Sequence, residues 1–558
     1  MNGFENTILA EGSAFRGKVL MGSLPEFGQL NPLLAIAEQL LARGHDVHFA
    51  SGSSCAKRMS AFNAGLAHFP DTAATTLHFH TLGDEGCIND HNYMASASAA
   101  EFADYKAVLA QGPRNYAAFN RLITLVMQGS LEGRKAVTDK FIDLIAELQP
   151  DILVLDQFTS CLVEAARVTG VDYIITAPAS PATLSSPSPF KEPLSGTDLE
   201  APMSLKSTLL NVWYFANLVP RVINHPALLA LRAYRLDVLK LTPISKAIDS
   251  SPFSKFHPSW TNQRAIISPN IDFRQQTPFD KVIFVGACTQ RRAPAAPNPA
   301  SEDAAVKAWL DDALQANDSV VYLNMGTIFR YNQSEIDAIT GAARLLAASR
   351  PGARGVRFLW KVPKGDFDLG GLPANVKLFG WLDDVDLVYG HAAVKAALNH
   401  GGGNSFNEAL TARLPQLVCA QWFDTIDYGV AARAAGIGLS SAHPGRLDAR
   451  DIATKVARLL TERGFAEKVG VWALKSKAAG GARAAADVVE GYLEGKWRAR
   501  DGHLVDAPAS ADKAPVAPPK RRVARALVLL FLAGLLFNAT SAGAGWVQAL
   551  LALLPARA

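Results

Sequence analysis

Short apolar runs alternate with longer segments of helical periodicity along most of the chain. KVLMGS (18–23) is an apolar run ending in Gly-Ser, and the loop LPEFGQLNP follows it. LLAIAEQLLARGH then places apolar residues at helical spacing and stops at Gly44, while DVHFAS (46–51) alternates as a strand does. Strand, loop, helix and strand in that order open a βαβ unit. DILVLD (151–156), a helix through 164–168 and DYIITA (172–177) repeat the rhythm, and KVIFVGA (281–287) predicts the last strand of this half. Two irregular stretches, 71–130 and 178–262, leave the core, the second carrying the apolar segment SLKSTLLNVWYFANLV. Long excursions from an α/β core tend to carry function.

A Pro/Ala-rich hinge, RRAPAAPNPAS (291–301), separates this half from a second. There SVVYLNMGT (319–327), VRFLWKV (356–362), VKLFGW (376–381), VKAALNH (394–400) and PQLVCAQ (415–421) predict strands. SEIDAITGAARLLAAS predicts a helix, and further helices fill the gaps and the run from 448 to about 497. Two doubly wound α/β halves should face each other across a cleft at their strand ends. The expected organisation is a flexible lead-in (1–16), a first domain (17–290), a hinge (291–302), a second domain (303–500), a disordered Pro/Ala/Asp linker (501–522) and an apolar tail (523–556).

The tail carries no charged residue between Arg525 and Arg557. A membrane span needs ~20 mostly apolar residues, so the tail predicts a C-terminal transmembrane helix. Lys520, Arg521 and Arg522 on its flank would keep the large domains cytosolic. A helix docked on a soluble core is the alternative, and Asn538, Thr540, Ser541, Gly543 and Gly545 leave a single span or a hairpin open. The net charge of +4 is dispersed, which argues against nucleic acid. Five widely spaced cysteines without a CxxC pair predict reduced thiols and no zinc framework. The N-terminus lacks the apolar run of a secretory signal.

The chemistry concentrates in 379–439. A strand ends at His400, and Gly401-Gly402-Gly403 opens a helix near Asn404. Glycines let backbone N–H groups approach an anion, and a helix N-terminus carries partial positive charge. His400, Asn404 and Ser405 can add donors, and Glu408, one turn on, could accept hydrogen bonds from ribose hydroxyls. A tight turn before a capped helix is the plain structural alternative. Asp384-Val385-Asp386 spells a DxD pattern but reads better as a solvated helix start, and the GxxxxGK at 12–18 precedes a strand where a phosphate loop would follow one.

This stretch resembles the nucleotide-sugar signature of the UDP-glycosyltransferase superfamily. The resemblance implies a GT-B fold, and an enzyme that moves a sugar from a UDP-sugar to a hydrophobic small-molecule or lipid acceptor with inversion, without a metal or other cofactor. It assigns base stacking to Trp381, phosphate binding to His400, Asn404 and Ser405 around Gly402 and Gly403, ribose binding to Glu408, and sugar contacts to Asp424. SVVYLNMGT resembles the first strand and turn of the family's second domain, which places Gly326 and Thr327 in the donor site. Thr425 stands where the family usually has Gln, and Gly403 where plant members have Trp.

The loop LPEFGQLNP resembles one that normally reads Gly-His-x-x-Pro, whose His is the general base. Here the residue is Gln29, which cannot take a proton. Asp156 matches the acid that orients the missing His, and capping the following helix is its equal alternative. His78 and His80, on the acceptor side, are further base candidates. Two other readings remain: a UDP-sugar-binding relative acting as a partner subunit, motivated by Gln29, and a sugar-nucleotide epimerase.

Overall fold

The computed structural model describes residues 16–84, 105–110, 117–118, 120–121, 131–184, 189–190, 192–243, 262–273, 281–291, 300–327, 329–362, 367–382 and 384–494. Strands β1 (Lys18–Gly22), β2 (Asp46–Ser51), β3 (His78–Thr81), β4 (Ile152–Asp156), β5 (Tyr173–Thr176), β6 (Gln263–Ser268) and β7 (Val282–Phe284) form a parallel sheet in the order β3-β2-β1-β4-β5-β6-β7. Strands β8 (Ser319–Asn324), β9 (Val356–Lys361), β10 (Val376–Phe379), β11 (Val394–Asn399), β12 (Gln416–Val418) and β13 (Gly438–Ser440) form a second, in the order β10-β9-β8-β11-β12-β13. The order reverses between β1 and β4 in one sheet and between β8 and β11 in the other. Such switch points open a crevice at the carboxyl ends of the strands.

Both faces of each sheet are covered, as parallel strands require. On β1, Val19 and Met21 pack into the cluster built on the helix Phe27–Ala42, whereas Leu20 packs on the opposite face with Phe141 and Leu162. The helix Gly481–Leu493, near the end of the second half in sequence, crosses back. Its Ala485, Ala486 and Val489 are buried against the first helix of the first half, and Arg43 pairs with Glu490 at 2.8 Å and Asp487 at 2.6 Å.

The expected strands appear, most of them trimmed by a residue or more at an end. Three others, β3, β6 and β13, were not anticipated. β3 is a half-exposed edge with the sequence HFHT, and β13 is three residues long. Neither carries the apolar run that marks a buried strand, and both exist because a longer neighbour offers a hydrogen-bonding edge.

Two expectations are corrected. Among the described residues no helix is long and apolar enough to cross a membrane, which overturns the C-terminal transmembrane helix and the membrane anchorage drawn from it. The residues on which it was placed, 523–556, lie outside the described ones. The physical reason is length. The uninterrupted apolar run from Ala526 ends at Phe537, well short of the ~20 residues a span needs, before Asn538 and the Ser/Gly segment break it. The longest apolar helix described, Leu205–Ile223, carries Lys206, Asn211, Asn217 and Arg221. Secondly, Cys55, Cys288 and Cys419 are buried thiols outside any disulfide, but Cys161 is disulfide-bonded, so the thiols are not all reduced.

Candidate functional site

The two central strands of the second sheet end in the same device. Asn324 on β8 and Asn399 on β11 are register partners. Each side-chain oxygen accepts the backbone N–H two residues on: Asn324 from Gly326 at 3.0 Å, Asn399 from Gly401 at 2.8 Å. Such Asx turns bend the chain sharply, and both glycines sit at positive φ, +78° and +80°. The His400 ring fills the space between the turns. A Cβ on Gly326 would lie 2.7 Å from it and one on Gly402 2.3 Å. Nothing but glycine fits against this imidazole.

The chain then enters the helix Gly403–Thr411, whose N-cap, Gly402, supplies no side-chain cap. The first N–H groups are left to a ligand or solvent, the arrangement that suits an anion. Burial pushes the His400 imidazole down to about 4, with the Asn324 backbone carbonyl opposing and Lys361 assisting the shift. His400 is thus neutral near pH 7 and acts as a polar donor or acceptor, with Nδ1 buried and unpartnered.

Around this start stand the other expected donor residues. Ser405 is buried on the first turn. Glu408, one turn on, accepts a hydrogen bond from Tyr389 Oη at 3.3 Å, which orients its carboxylate. Trp381 is 57% exposed at the rim, with Lys361 Nζ 4.9 Å from its ring centre. The Glu302 carboxylate grips the backbone on both sides of the turn before it, accepting from Gly380 N at 2.6 Å and Trp381 N at 3.0 Å. Thr327 follows Gly326 in the β8 turn. Asp384 accepts the N–H of Asp386 at 2.9 Å, as a helix start does.

Asp424 and Thr425 begin the helix Phe423–Ala435 and behave differently. Thr425 is buried, and its hydroxyl accepts from Gln421 N at 3.0 Å and Trp422 N at 2.7 Å, closing the turn. It therefore spends its polarity on the backbone. Burial, reinforced by the neighbouring Asp427 carboxylate, pushes the Asp424 carboxyl up to about 7. The folded state then favours the protonated acid, so this group's contribution to stability declines as pH rises from the ordinary carboxyl range to about 7. For sugar recognition the ionised form is the better acceptor. The Michaelis constant for donor should fall as pH rises through about 7, and Asp424→Asn should flatten the profile. Initial rates at several donor concentrations across that range test this, and an unchanged profile in the variant would assign the dependence elsewhere.

The first half closes over the same region. Asn404 Nδ2 donates to the Phe27 carbonyl at 3.0 Å, and Tyr428 Oη lies 3.0 Å from the Pro178 carbonyl and 2.7 Å from Asn270 Oδ1. Asn407 Nδ2 donates to Pro269 O and Asn270 Oδ1. A Cβ on Gly403 would lie 2.7 Å from both the Pro178 carbonyl and Tyr428 Oη. The absence of the plant-type Trp at this position is a matter of space.

Gln29 is half-buried in the first turn of Phe27–Ala42, its N–H donating to the Glu26 carbonyl at 3.1 Å. Asp156 is fully buried at the end of β4, beside β1. Its carboxylate accepts from Phe158 N at 3.1 Å and Thr159 Oγ1 at 2.5 Å, closing the turn that leads to Thr159, the N-cap of the helix Ser160–Thr169. His78 and His80 lie on the edge strand. His48 joins them: its Nδ1 is 2.8 Å from His80 Nε2, and its ring stacks on His78 at 5.0 Å. His78 and His48 are register partners and Asp46 pairs with both rings, so the stack sits toward the start of the strands, away from the end where the β1 loop begins. Two residues at that end escaped sequence reasoning: Gln157 Oε1 and Thr176 Oγ1 are buried without partners after β4 and on β5. Gln421, with both amide atoms buried and unpartnered, is another. Single buried polar residues in apolar surroundings leave no periodic signal.

Residues 363–480 match the family described as Erythromycin biosynthesis protein CIII-like, C-terminal domain. The chain is 26% identical to Erythritol-mannosyl-transferase 1 of Mycosarcoma maydis, over 85% of this chain and 91% of that protein. It is 26% identical to Glycosyltransferase sdnJ of Sordaria araneosa, over 76% and 83% respectively. Among solved structures, the calicheamicin glycosyltransferase CalG4 superposes with a TM-score of 0.56 at 16% identity, covering 86% of this chain and 99% of that one. Arabidopsis thaliana UGT89C1 complexed with UDP-L-rhamnose gives 0.55 at 15%, over 86% and 99%. These structures share the fold, the two-domain GT-B arrangement. The C-terminal family match, the glycosyltransferase relatives along the chain and the GT-B structural neighbours together support a member of the UDP-glycosyltransferase superfamily.

Proposed function

We propose that the protein is a glycosyltransferase that moves a sugar from a UDP-sugar to a hydroxyl-bearing small molecule held by the first half, with inversion at the anomeric carbon. The observation that carries this reading is the helix Gly403–Thr411. Its N-terminus lacks a side-chain cap and opens beside His400, Trp381 and Glu408. A diphosphate placed there meets backbone N–H groups and the positive end of the helix, which also stabilise the charge that develops as the nucleotide leaves. The acceptor approaches from the β1 and β4 strand ends, opposite the leaving group. Names of relatives that include a mannosyltransferase and several glucosyltransferases support sugar transfer.

Calorimetry with UDP in EDTA is the direct test. Binding should persist without divalent metal, and His400→Ala or Glu408→Ala should each weaken it by about 1–3 kcal/mol, the typical cost of losing one strong hydrogen-bond partner. Undiminished affinity in both variants would remove the site assignment. A second reading, a nucleotide-sugar-binding relative without turnover, rests on Gln29 and on the turn bonds that occupy the Asp156 carboxylate.

A further inference from the structure

Two large apolar side chains remain exposed at facing lips of the cleft: Phe27, 38% exposed, on the first half, and Trp381, 57% exposed, on the second. Their ring centroids are 6.3 Å apart and the planes are inclined by 47°. Phe27 does not project by accident of a loose loop. Its carbonyl is held by Asn404 Nδ2 at 3.0 Å, and the Arg58 guanidinium lies 4.3 Å from its ring centre. Arg58 is itself tied to Asn31 Oδ1, one turn further along the same helix. The aromatic ring is therefore backed by a cation and anchored to the helix start proposed to take the diphosphate.

Resting on the nucleotide reading above, we propose that Phe27 forms the second wall of the nucleobase site, so that the base is held between Phe27 of the first half and Trp381 of the second. Flat rings in contact lie about 3.5–4 Å apart, so a base between two others needs a separation of about 7–8 Å. At 6.3 Å between centroids the two rings now meet as a tilted pair, so a base enters only where they part and turn parallel. Both rings stand at the exposed rim, where side-chain rotation parts them, and the cations behind each keep them facing the space between. The consequence is that donor binding draws on both halves and completes the cleft against which the acceptor is presented. It also explains why a large apolar residue stands in water two positions before Gln29, where a polar loop residue would cost less.

The test is UDP binding by calorimetry to the full chain and to Phe27→Ala, Phe27→Trp and Trp381→Ala, with inorganic pyrophosphate as the base-free probe. Loss of a stacking partner should weaken UDP binding by about 5-fold to 150-fold in Phe27→Ala. Phe27→Trp should restore it, and pyrophosphate binding should be unchanged, because the carbonyl held by Asn404 survives each substitution. A merely structural role for Phe27 would weaken both probes together, and that result would overturn the proposal. Tighter UDP binding by Phe27→Ala would overturn it too, by making the ring a plug. If Trp381→Ala weakens UDP binding while Phe27→Ala does not, the second wall is absent but the nucleotide site stands. If neither variant changes UDP binding, the nucleotide reading itself fails.

Discussion

Gln29→His should raise transfer to a simple alcohol by about 10²–10⁴-fold, the usual worth of general-base catalysis. The argument is one of proton inventory. A carboxamide has no basic lone pair at neutral pH, so Gln29 can orient an acceptor hydroxyl but cannot take its proton. Asp156 is buried beside β1 with hydrogen bonds from Phe158 N and Thr159 Oγ1 already on its oxygens. It is therefore a poor base as it stands, yet it lies at the strand end where it could steady an imidazole at position 29. An acceptor with an acidic hydroxyl or a carboxylate needs little help, so its rate should change much less. Release of UDP with identification of the glycoside, for an alcohol and an acidic acceptor side by side, reads both effects. Equal rates for wild type and Gln29→His on the alcohol would place the reacting hydroxyl away from residue 29. A wild type inert with every acceptor, together with a gain in the variant, would favour the binding-relative reading.

The second large effect is expected at Gly403. Gly403→Trp should abolish measurable UDP binding and lower thermal stability. Even the first carbon of a side chain would meet the Pro178 carbonyl and Tyr428 Oη at 2.7 Å, and a backbone carbonyl cannot swing aside. To admit an indole, the helix start must retreat from the first half. That movement breaks the bonds from Tyr428 to Pro178 and Asn270 and displaces the N–H groups proposed to hold the diphosphate. Overpacking of this kind costs roughly 1–3 kcal/mol, and each kcal/mol lowers Tm by about 2–4 °C in a unit of about 150–250 residues, the size range of the second half. Gly403→Ala is the graded control, with a smaller loss in both measurements. Retention of wild-type Tm and UDP affinity by the Trp variant would show that the two halves part readily here and that their closure is not needed for donor binding.

The contrast between Gly403 and Gln29 shows where sequence reasoning is strong. Periodicity alone determined the two doubly wound halves, because a buried parallel strand must be apolar along its length and its crossover helix must be apolar on one stripe. The run from His400 to Glu408 was legible because it lies within one strand–turn–helix unit, where neighbours in sequence stay neighbours in space, whereas Trp381 follows the edge strand β10, with β9 and β8 between it and β11. What the sequence left open depends on contacts between distant segments. Thr425 stands where the family usually has Gln, and its hydroxyl accepts from the Gln421 and Trp422 backbone. His78 and His80 read as base candidates by type, but strand register stacks them on His48 at the sheet edge. The helix Gly481–Leu493 follows the second half in order yet packs on the first, because its alanine stripe fits the helix Phe27–Ala42. The tail's hydropathy suggested a span, but a window that averages over Asn538 to Gly545 hides the break in its apolar run. Only the tertiary structure decided which glycine faces a carbonyl, which aspartate is driven toward neutrality by burial, and that Phe27 meets Trp381 across the cleft, since each depends on two segments folding independently and then closing on one another.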